Sequence, residues 1–265
     1  MLFFEAIFLG AVQGLAEFLP ISSSGHLVLI PWFFGFKDLG LAFDASLHFG
    51  TAIAVLGFFW RDFDRLLRAF VRSIATRAVD SQEARLSWYL VIASIPGGIA
   101  GILLEKKAES LFRSPLLVAA SLAIMGIALL AADKLSARAK DISHLGLKDA
   151  LLVGCMQALA IIPGISRSGI TMTAALTRNY DRRDAARFSF LLSAPITLGA
   201  ALFEFRKLEA MTPDAAFFAG VLTSAIVGYL SIKYLLKFLE TRSFAVFAIY
   251  RVALALVVAA IYVSR

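Results

Sequence analysis

Two apolar stretches of this chain are interrupted at the same place in the same way. Residues 10–25 read GAVQGLAEFLPISSSG, and residues 154–169 read GCMQALAIIPGISRSG. At a constant offset of 144, with no gap, eight of sixteen positions agree: Gly10/Gly154, Gln13/Gln157, Leu15/Leu159, Ala16/Ala160, Ile21/Ile165, Ser22/Ser166, Ser24/Ser168 and Gly25/Gly169. An apolar background produces chance matches of Leu, Ala and Gly. It does not readily produce Gln-x-Leu-Ala and Ile-Ser-x-Ser-Gly in one register. We read the pair as an internal duplication.

Each copy breaks a helix. Pro20, Ser22, Ser23, Ser24 and Gly25 interrupt the stretch 3–36, as does Pro31; Pro163, Gly164, Ser166, Ser168 and Gly169 interrupt 147–176. Such breaks leave backbone groups unpaired, which is tolerated at membrane depth only inside protein or against a water-filled cavity. Membrane depth is the right setting, because 60% of residues are apolar and 17% charged. Soluble domains carry about 25% charged residues. The mean hydropathy is +0.81. This excludes an ordinary soluble enzyme, a disordered chain, a nucleic-acid-binding domain and, with Cys155 alone, a disulfide scaffold. No cleavable signal peptide is expected, since the first basic residue is Lys37.

Six further apolar segments, at about 41–60, 86–104, 115–132, 188–203, 215–232 and 244–263, approach the length of roughly 20 residues that spans a bilayer. Each half of the chain, 1–132 and 133–265, then holds one re-entrant hairpin and three spans. Three is odd, so the second half enters the membrane upside down. The predicted fold is an all-α polytopic membrane protein: six transmembrane helices plus two re-entrant helix hairpins in an inverted-topology repeat, with the site at the repeat interface near the midplane.

Basic residues test the orientation. The segments 61–85, 133–148, 178–187 and 233–242 hold 17 of the 26 Lys and Arg. The opposite side holds seven: Lys37, Lys106, Lys107, Arg113, Arg206, Lys207 and Arg265. This bias predicts that the four richer segments are cytoplasmic loops, with the first hairpin opening outward. It also accounts for the net charge of +7 without a nucleic-acid partner.

Ionisable groups at membrane depth are costly and mark function by default. The hairpins hold Glu17, His26 and Arg167, with hydroxyls at Ser22, Ser23, Ser24, Ser166, Ser168 and Thr171. Residues 164–169 form a Gly/Ser turn leading into a helix near Gly169, whose N–H groups suit an anion. Arg167 adds a fork that fits paired phosphate oxygens. The turn is a phosphate cradle in composition, although no GxxxxGK[ST] is present. The alternative is an Arg167–Glu17 pair that holds the hairpins together. Gln13 and Glu17, four apart, share a helix face. They could hold Mg²⁺ or Ca²⁺, or simply hydrogen-bond to each other. Ser23 and His26, three apart, could form a nucleophile and base, Ser23 could instead position a water, or His26 could itself attack phosphorus, while Ser22–Gly25 also reads as a helix cap. His48 and Asp44 read as an interhelical hydrogen bond, and Arg251 as paired with a carboxylate or carbonyls. His144 carries no signal. Gly97-Gly98 and Gly199-Ala-Ala201 suit close helix packing.

Gln13-x-x-x-Glu17-Phe-Leu-Pro-x-Ser-Ser-Ser-Gly-His26 and Pro163-Gly-Ile-Ser-Arg-Ser-Gly-Ile-Thr171 resemble the two signatures of the undecaprenyl pyrophosphate phosphatases, also called bacitracin-resistance proteins. The resemblance covers essentially the whole chain. It implies hydrolysis of undecaprenyl pyrophosphate to the monophosphate carrier of bacterial cell-wall synthesis. It also implies the bacterial inner membrane, a site opening to its outer face, and a divalent cation. By motif position it implies catalytic roles for Glu17, Ser23, His26 and Arg167. Substrate contacts would fall to Gln13, Ser22, Ser24, Ser166, Arg167, Ser168 and Thr171, and the cation to Glu17 and Gln13. Many members have Glu at the position of Gln13, which leaves Glu17 as the one anionic ligand. The expected partners are the lipid pyrophosphate and membrane lipid; a homodimer is left open. An inverted-repeat transporter or flippase of a phosphorylated lipid is the rival reading. A non-catalytic scaffold would not explain the buried Glu, His and Arg.

Overall fold

The computed structural model describes residues 3–35, 40–110, 112–205 and 214–264, with backbone alone at 40–42, 105–110 and 200–205. The outer Lys37, Arg206, Lys207 and Arg265, and the side chains of Lys106 and Lys107, lie outside the described residues. So do the side chains of Ala200 and Ala201.

Among the described residues every extended element is a helix. Helices α1 (Phe3–Phe18) and α2 (Ser23–Phe34) form the first hairpin. Then come α3 (Gly40–Phe58), α4 (Trp60–Thr76), α5 (Gln82–Ser110) and α6 (Pro115–Leu135). The second hairpin is α7 (Leu147–Ala158), extended by a 3₁₀ turn at Leu159–Ile161, and α8 (Arg167–Thr177). The chain ends with α9 (Arg182–Phe205), α10 (Ala215–Phe238) and α11 (Ala245–Ser264). Both expected breaks are present. The one expected at Pro31 is not, because α2 runs through it to Phe34.

Among the described residues four helices are long and apolar enough to cross a membrane: Gln82–Leu104, Pro115–Leu135, Ala215–Phe238 and Ala245–Ser264. The pair Phe43–Phe58 and Trp60–Thr76 makes a fifth candidate, bent by 79°. Within those four helices only 17–39% of the most apolar stretch is buried inside the protein. The remaining apolar surface, with residues such as Leu103 and Ile124 standing out, is stable only against lipid.

The segment 61–85 departs from the expectation of a polar loop, since most of it is α4. The four arginines of α4, Arg61, Arg65, Arg68 and Arg72, recur at helical spacing, and its apolar residues occupy the other faces. Charge content alone hides that periodicity.

The four basic segments meet at one end of the molecule. Arg187 pairs with Asp62 (2.8 Å), Arg182 with Asp133 (2.5 Å) and Arg183 with Glu240 (3.4 Å). Lys140 and Tyr180 form an isolated parallel bridge. Asp133 is 2% exposed; it binds Arg182 through both carboxylate oxygens and accepts the Phe244 N–H at 3.1 Å, where α11 begins. Asp133→Ala strands a cation and a backbone donor. It is expected to cost about 3–5 kcal/mol, seen as an earlier midpoint in denaturant titration of the purified protein.

Close helix approach occurs at one expected position and at others the sequence did not single out. A Cβ on Gly10 would lie 2.3 Å from the Gly220 carbonyl oxygen, and one on Gly154 would lie 2.6 Å from the Ala93 oxygen. Thus α1 lies against α10 as α7 lies against α5. Of the expected positions, Gly97 nears Gln157 Nε2 at 3.1 Å, whereas Gly98 and Gly199 face open space.

Candidate active site

The two breaks are built alike. Ser22 (φ 75°) caps α2 and accepts the Gly25 N–H at 3.2 Å; Ser166 (φ 72°) caps α8 and accepts the Gly169 N–H at 3.0 Å. A positive φ on a non-glycine residue is uncommon and strained, and such strain gathers at functional sites. The turns also bind each other. Ser22 Oγ accepts the Gly164 N–H (3.1 Å), and Ser168 Oγ donates to the Leu19 carbonyl (3.2 Å). The helix expected near Gly169 starts at Arg167, which places the guanidinium in its first turn.

Arg251 holds this junction together. It is fully buried and its partners are carbonyls, one of the two options the sequence left open. Its Nη1 donates to Pro20 O (3.0 Å), its Nη2 to Gly164 O (2.6 Å) and Ile165 O (3.0 Å), and its Nε to Leu122 O (3.3 Å). One cation thus ties both break loops to α6. Gly164 is required in that loop: its φ is +93°, and a Cβ would lie 2.6 Å from the Val118 oxygen.

Above the junction sits a polar cluster centred on Glu17, which is 7% exposed. Glu17 Oε1 accepts from Arg167 Nη2 at 2.7 Å. Glu17 Oε2 accepts from Ser23 Oγ at 2.6 Å and from Gln13 Nε2 at 3.0 Å. The alternatives left open by the sequence, an Arg–Glu pair and a Gln–Glu hydrogen bond, are therefore both realised. Arg167 Nη1 also donates to the Ser189 carbonyl (3.2 Å), which orients its fork. Ser189, on α9, lies 2.7 Å from Thr171 Oγ1. Its sequence surroundings are plain apolar span and carry no signal of this role.

Two histidines take partners on other helices. His26 is not brought to Ser23. Its Nδ1 lies 2.7 Å from the Ser22 carbonyl, so Nδ1 carries the hydrogen and donates; Nε2 then accepts from the Tyr250 hydroxyl at 2.7 Å. The ring also stacks on Tyr250 (5.7 Å between centroids, 6° between planes). At three residues' spacing on a helix, Ser23 and His26 share a face, but α11 claims the imidazole. His48 makes the interhelical hydrogen bond expected of it, and that bond brings it into the cluster. Its Nδ1 lies 2.9 Å from Gln13 Nε2 and 3.2 Å from Glu17 Oε2. Asp44, on the same helix, pairs with Arg113 at 3.2 Å.

The remaining hydroxyls serve the turns. Ser166 Oγ and Ser168 Oγ are 3.2 Å apart, and Ser22 Oγ and Ser24 Oγ 3.4 Å. Thr171 Oγ1 donates back to the Arg167 carbonyl (2.8 Å). For a cation the donors are modest. Among the described residues no three His, Cys, Asp or Glu side chains converge. Yet Gln13 Oε1 is buried without a hydrogen-bond partner, beside the Glu17 carboxylate. One carboxylate and one orphaned amide oxygen fit a hard cation that takes its other ligands from water and phosphate.

The fold and this cluster define a class: a multi-pass helical membrane protein with a carboxylate, a hydroxyl and a guanidinium buried where two helix breaks meet. The chain belongs to the family of the bacitracin resistance protein BacA, whose sequence profile matches residues 6–257. Its relatives include the undecaprenyl-diphosphatase of Moorella thermoacetica, 51% identical over 98% of each chain. Those of Pelotomaculum thermopropionicum and Desulforudis audaxviator are each 48% identical, covering 100% and 99% of this chain and 98% of the relative.

Proposed function

We propose that this protein is an integral-membrane undecaprenyl-diphosphatase, which removes the terminal phosphate of the lipid pyrophosphate and so recycles the carrier for peptidoglycan synthesis. The observation that carries this reading is the Ser23–Glu17–Arg167 arrangement: a hydroxyl hydrogen-bonded to a carboxylate that is itself paired with a phosphate-binding cation. We place the protein in the bacterial inner membrane as six spans and two re-entrant hairpins, in inverted repeats 1–132 and 133–265. The matched caps Ser22 and Ser166 and the matched close approaches at Gly10 and Gly154 support the repeat. The gathering of the basic segments at one end supports an outward-facing site.

In the proposed reaction, the terminal phosphate takes Arg167's fork and the N-terminus of α8. Ser23 Oγ attacks phosphorus, its proton passes to Glu17, and the bond to the bridging oxygen breaks. Lipid monophosphate leaves, and water then releases phosphate from Ser23. Arg167 stabilises the charge spreading over the phosphoryl oxygens. Glu17 and Gln13 would hold Mg²⁺ or Ca²⁺, which when bound would neutralise pyrophosphate charge. His26 steadies the Ser22 turn through its carbonyl rather than serving Ser23. The substrate's prenyl chain would lie in the surrounding lipid.

The test is phosphate release from undecaprenyl pyrophosphate by purified protein. Release is expected from the native chain, to stop with a chelator and to return with Mg²⁺ or Ca²⁺. Ser23→Ala is expected to lose at least about 10³-fold in turnover. Movement of the lipid between leaflets with no phosphate released would replace this reading with a transporter. Native turnover in Ser23→Ala would remove the nucleophile assignment.

A further inference from the structure

Helix α4 lies outside the polar cluster and carries three distinct faces. Leu66 and Ser73, with Phe63 and Phe70, face the protein. There Trp88 Nε1 donates to Ser73 Oγ at 3.0 Å, and the Phe70 and Trp88 rings sit 4.8 Å apart. Trp60, Leu67, Val71 and Ile74 recur at i, i+7, i+11 and i+14 on a second face, and are 59%, 63%, 56% and 53% exposed. Arg61, Arg65, Arg68 and Arg72 recur at i, i+4, i+7 and i+11 on a third, roughly 120° from the apolar stripe.

Among the described residues, neither outer face is matched by the protein itself. Arg65 and Arg68 make pairs with Asp62 and Asp64 on the same helix (3.0 and 2.9 Å), and Arg61 lies 5.2 Å from the Trp60 ring centroid. These are exposed contacts of little energetic weight. The 79° bend between α3 and α4 sets α4 nearly across the direction of α3. The Arg187–Asp62 and Trp88–Ser73 contacts hold it there. An apolar stripe beside a basic stripe, on a helix lying along the membrane, matches the boundary between acyl chains and anionic headgroups.

We propose that α4 is an in-plane helix that binds anionic phospholipid headgroups through Arg61, Arg65, Arg68 and Arg72, with Trp60, Leu67, Val71 and Ile74 set among the acyl chains. The surface belongs to the leaflet at the basic end of the molecule. It is independent of the phosphatase reading, because it uses no residue of that site.

The purified full chain would be equilibrated with vesicles of equal phosphatidylglycerol and phosphatidylcholine, re-extracted, and its retained lipids counted by native mass spectrometry. The native chain is expected to retain phosphatidylglycerol preferentially, by roughly fivefold for each arginine that meets a headgroup. R61Q/R65Q/R68Q/R72Q is expected to retain both lipids alike while still releasing phosphate in detergent. R61Q/R72Q, which leaves both aspartate pairs intact, guards against a folding defect and is expected to lose part of the preference. A spin label at Ile74→Cys, with Cys155→Ala, is expected to be more open to oxygen than to a water-soluble nickel chelate. Three results would overturn the proposal: no lipid preference in the native chain, an unchanged preference in the four-arginine variant, or a label freely open to the nickel reagent. The last would mean that α4 stands in water, as it would for a soluble protein partner.

Discussion

Arg167→Ala is expected to lower turnover by about 10²–10³-fold, the range found when one preorganised donor to a developing oxyanion is removed. The effect should fall mainly on kcat, because the guanidinium meets its phosphate at full strength only as charge spreads over the phosphoryl oxygens. Its fork is already aimed, with Nη1 on the Ser189 carbonyl and Nη2 on Glu17. Arg167→Lys should recover little, since one ammonium cannot reproduce two fixed directions. A second consequence separates this role from a merely structural tie. Loss of Arg167 leaves the buried Glu17 without its nearest fixed cation, so Glu17→Gln combined with Arg167→Ala should restore stability but not turnover. Steady-state phosphate release and a denaturant midpoint, measured on the same preparations, check both halves. Near-native turnover in Arg167→Ala would dismiss the assignment.

Arg251→Ala is expected to destabilise the folded state as strongly as Asp133→Ala. The side chain is fully buried and gives its hydrogens to carbonyls of Pro20, Gly164, Ile165 and Leu122. Removal leaves several buried acceptors unpaired, at about 1–3 kcal/mol each, and opens a cavity where the loops cross. A loss of roughly 3–5 kcal/mol follows even if the site partly collapses. Turnover should fall with it, because Ser23 and Arg167 each directly follow a turn that Arg251 secures. Arg251→Lys keeps the charge but offers three donors from one atom, and should give an intermediate midpoint. Midpoints in denaturant, with turnover of the fraction still folded, distinguish lost positioning from lost protein. Native stability in Arg251→Ala would show that the loops hold without it.

Much of the site was legible in the residues themselves. Glu17, Ser23 and Arg167 stand out because ionisable and hydroxyl groups at breaks in apolar sequence need a reason. The serine caps follow from a Ser three residues before a Gly at the start of a helix. The crowding of basic residues into four segments foretold that those segments would share one end, and salt bridges join them there. Less was legible where a side chain could satisfy itself in two ways. His26 had a nearby Ser23 in sequence and a distant Tyr250 in space, and the distant group holds it. An interhelical hydrogen bond from His48 was legible, but not that its partners would be Gln13 and Glu17 of α1. Segment 61–85 displayed its charges, but whether it was loop or helix depended on reading its period.

What the sequence determined by itself is therefore what depends on neighbours along the chain: apolar runs, their breaks, the caps at those breaks, the sidedness of charge and the family. Local hydrogen bonds and transfer from water act over a few residues, so their traces survive in order and spacing. What only the tertiary structure decided is which polar groups meet. Arg251 lies 231 residues from Pro20, and Arg167 lies 150 from Glu17. A donor buried in an apolar interior must take an acceptor from whichever helix is packed beside it, and helix packing is settled by the whole chain at once.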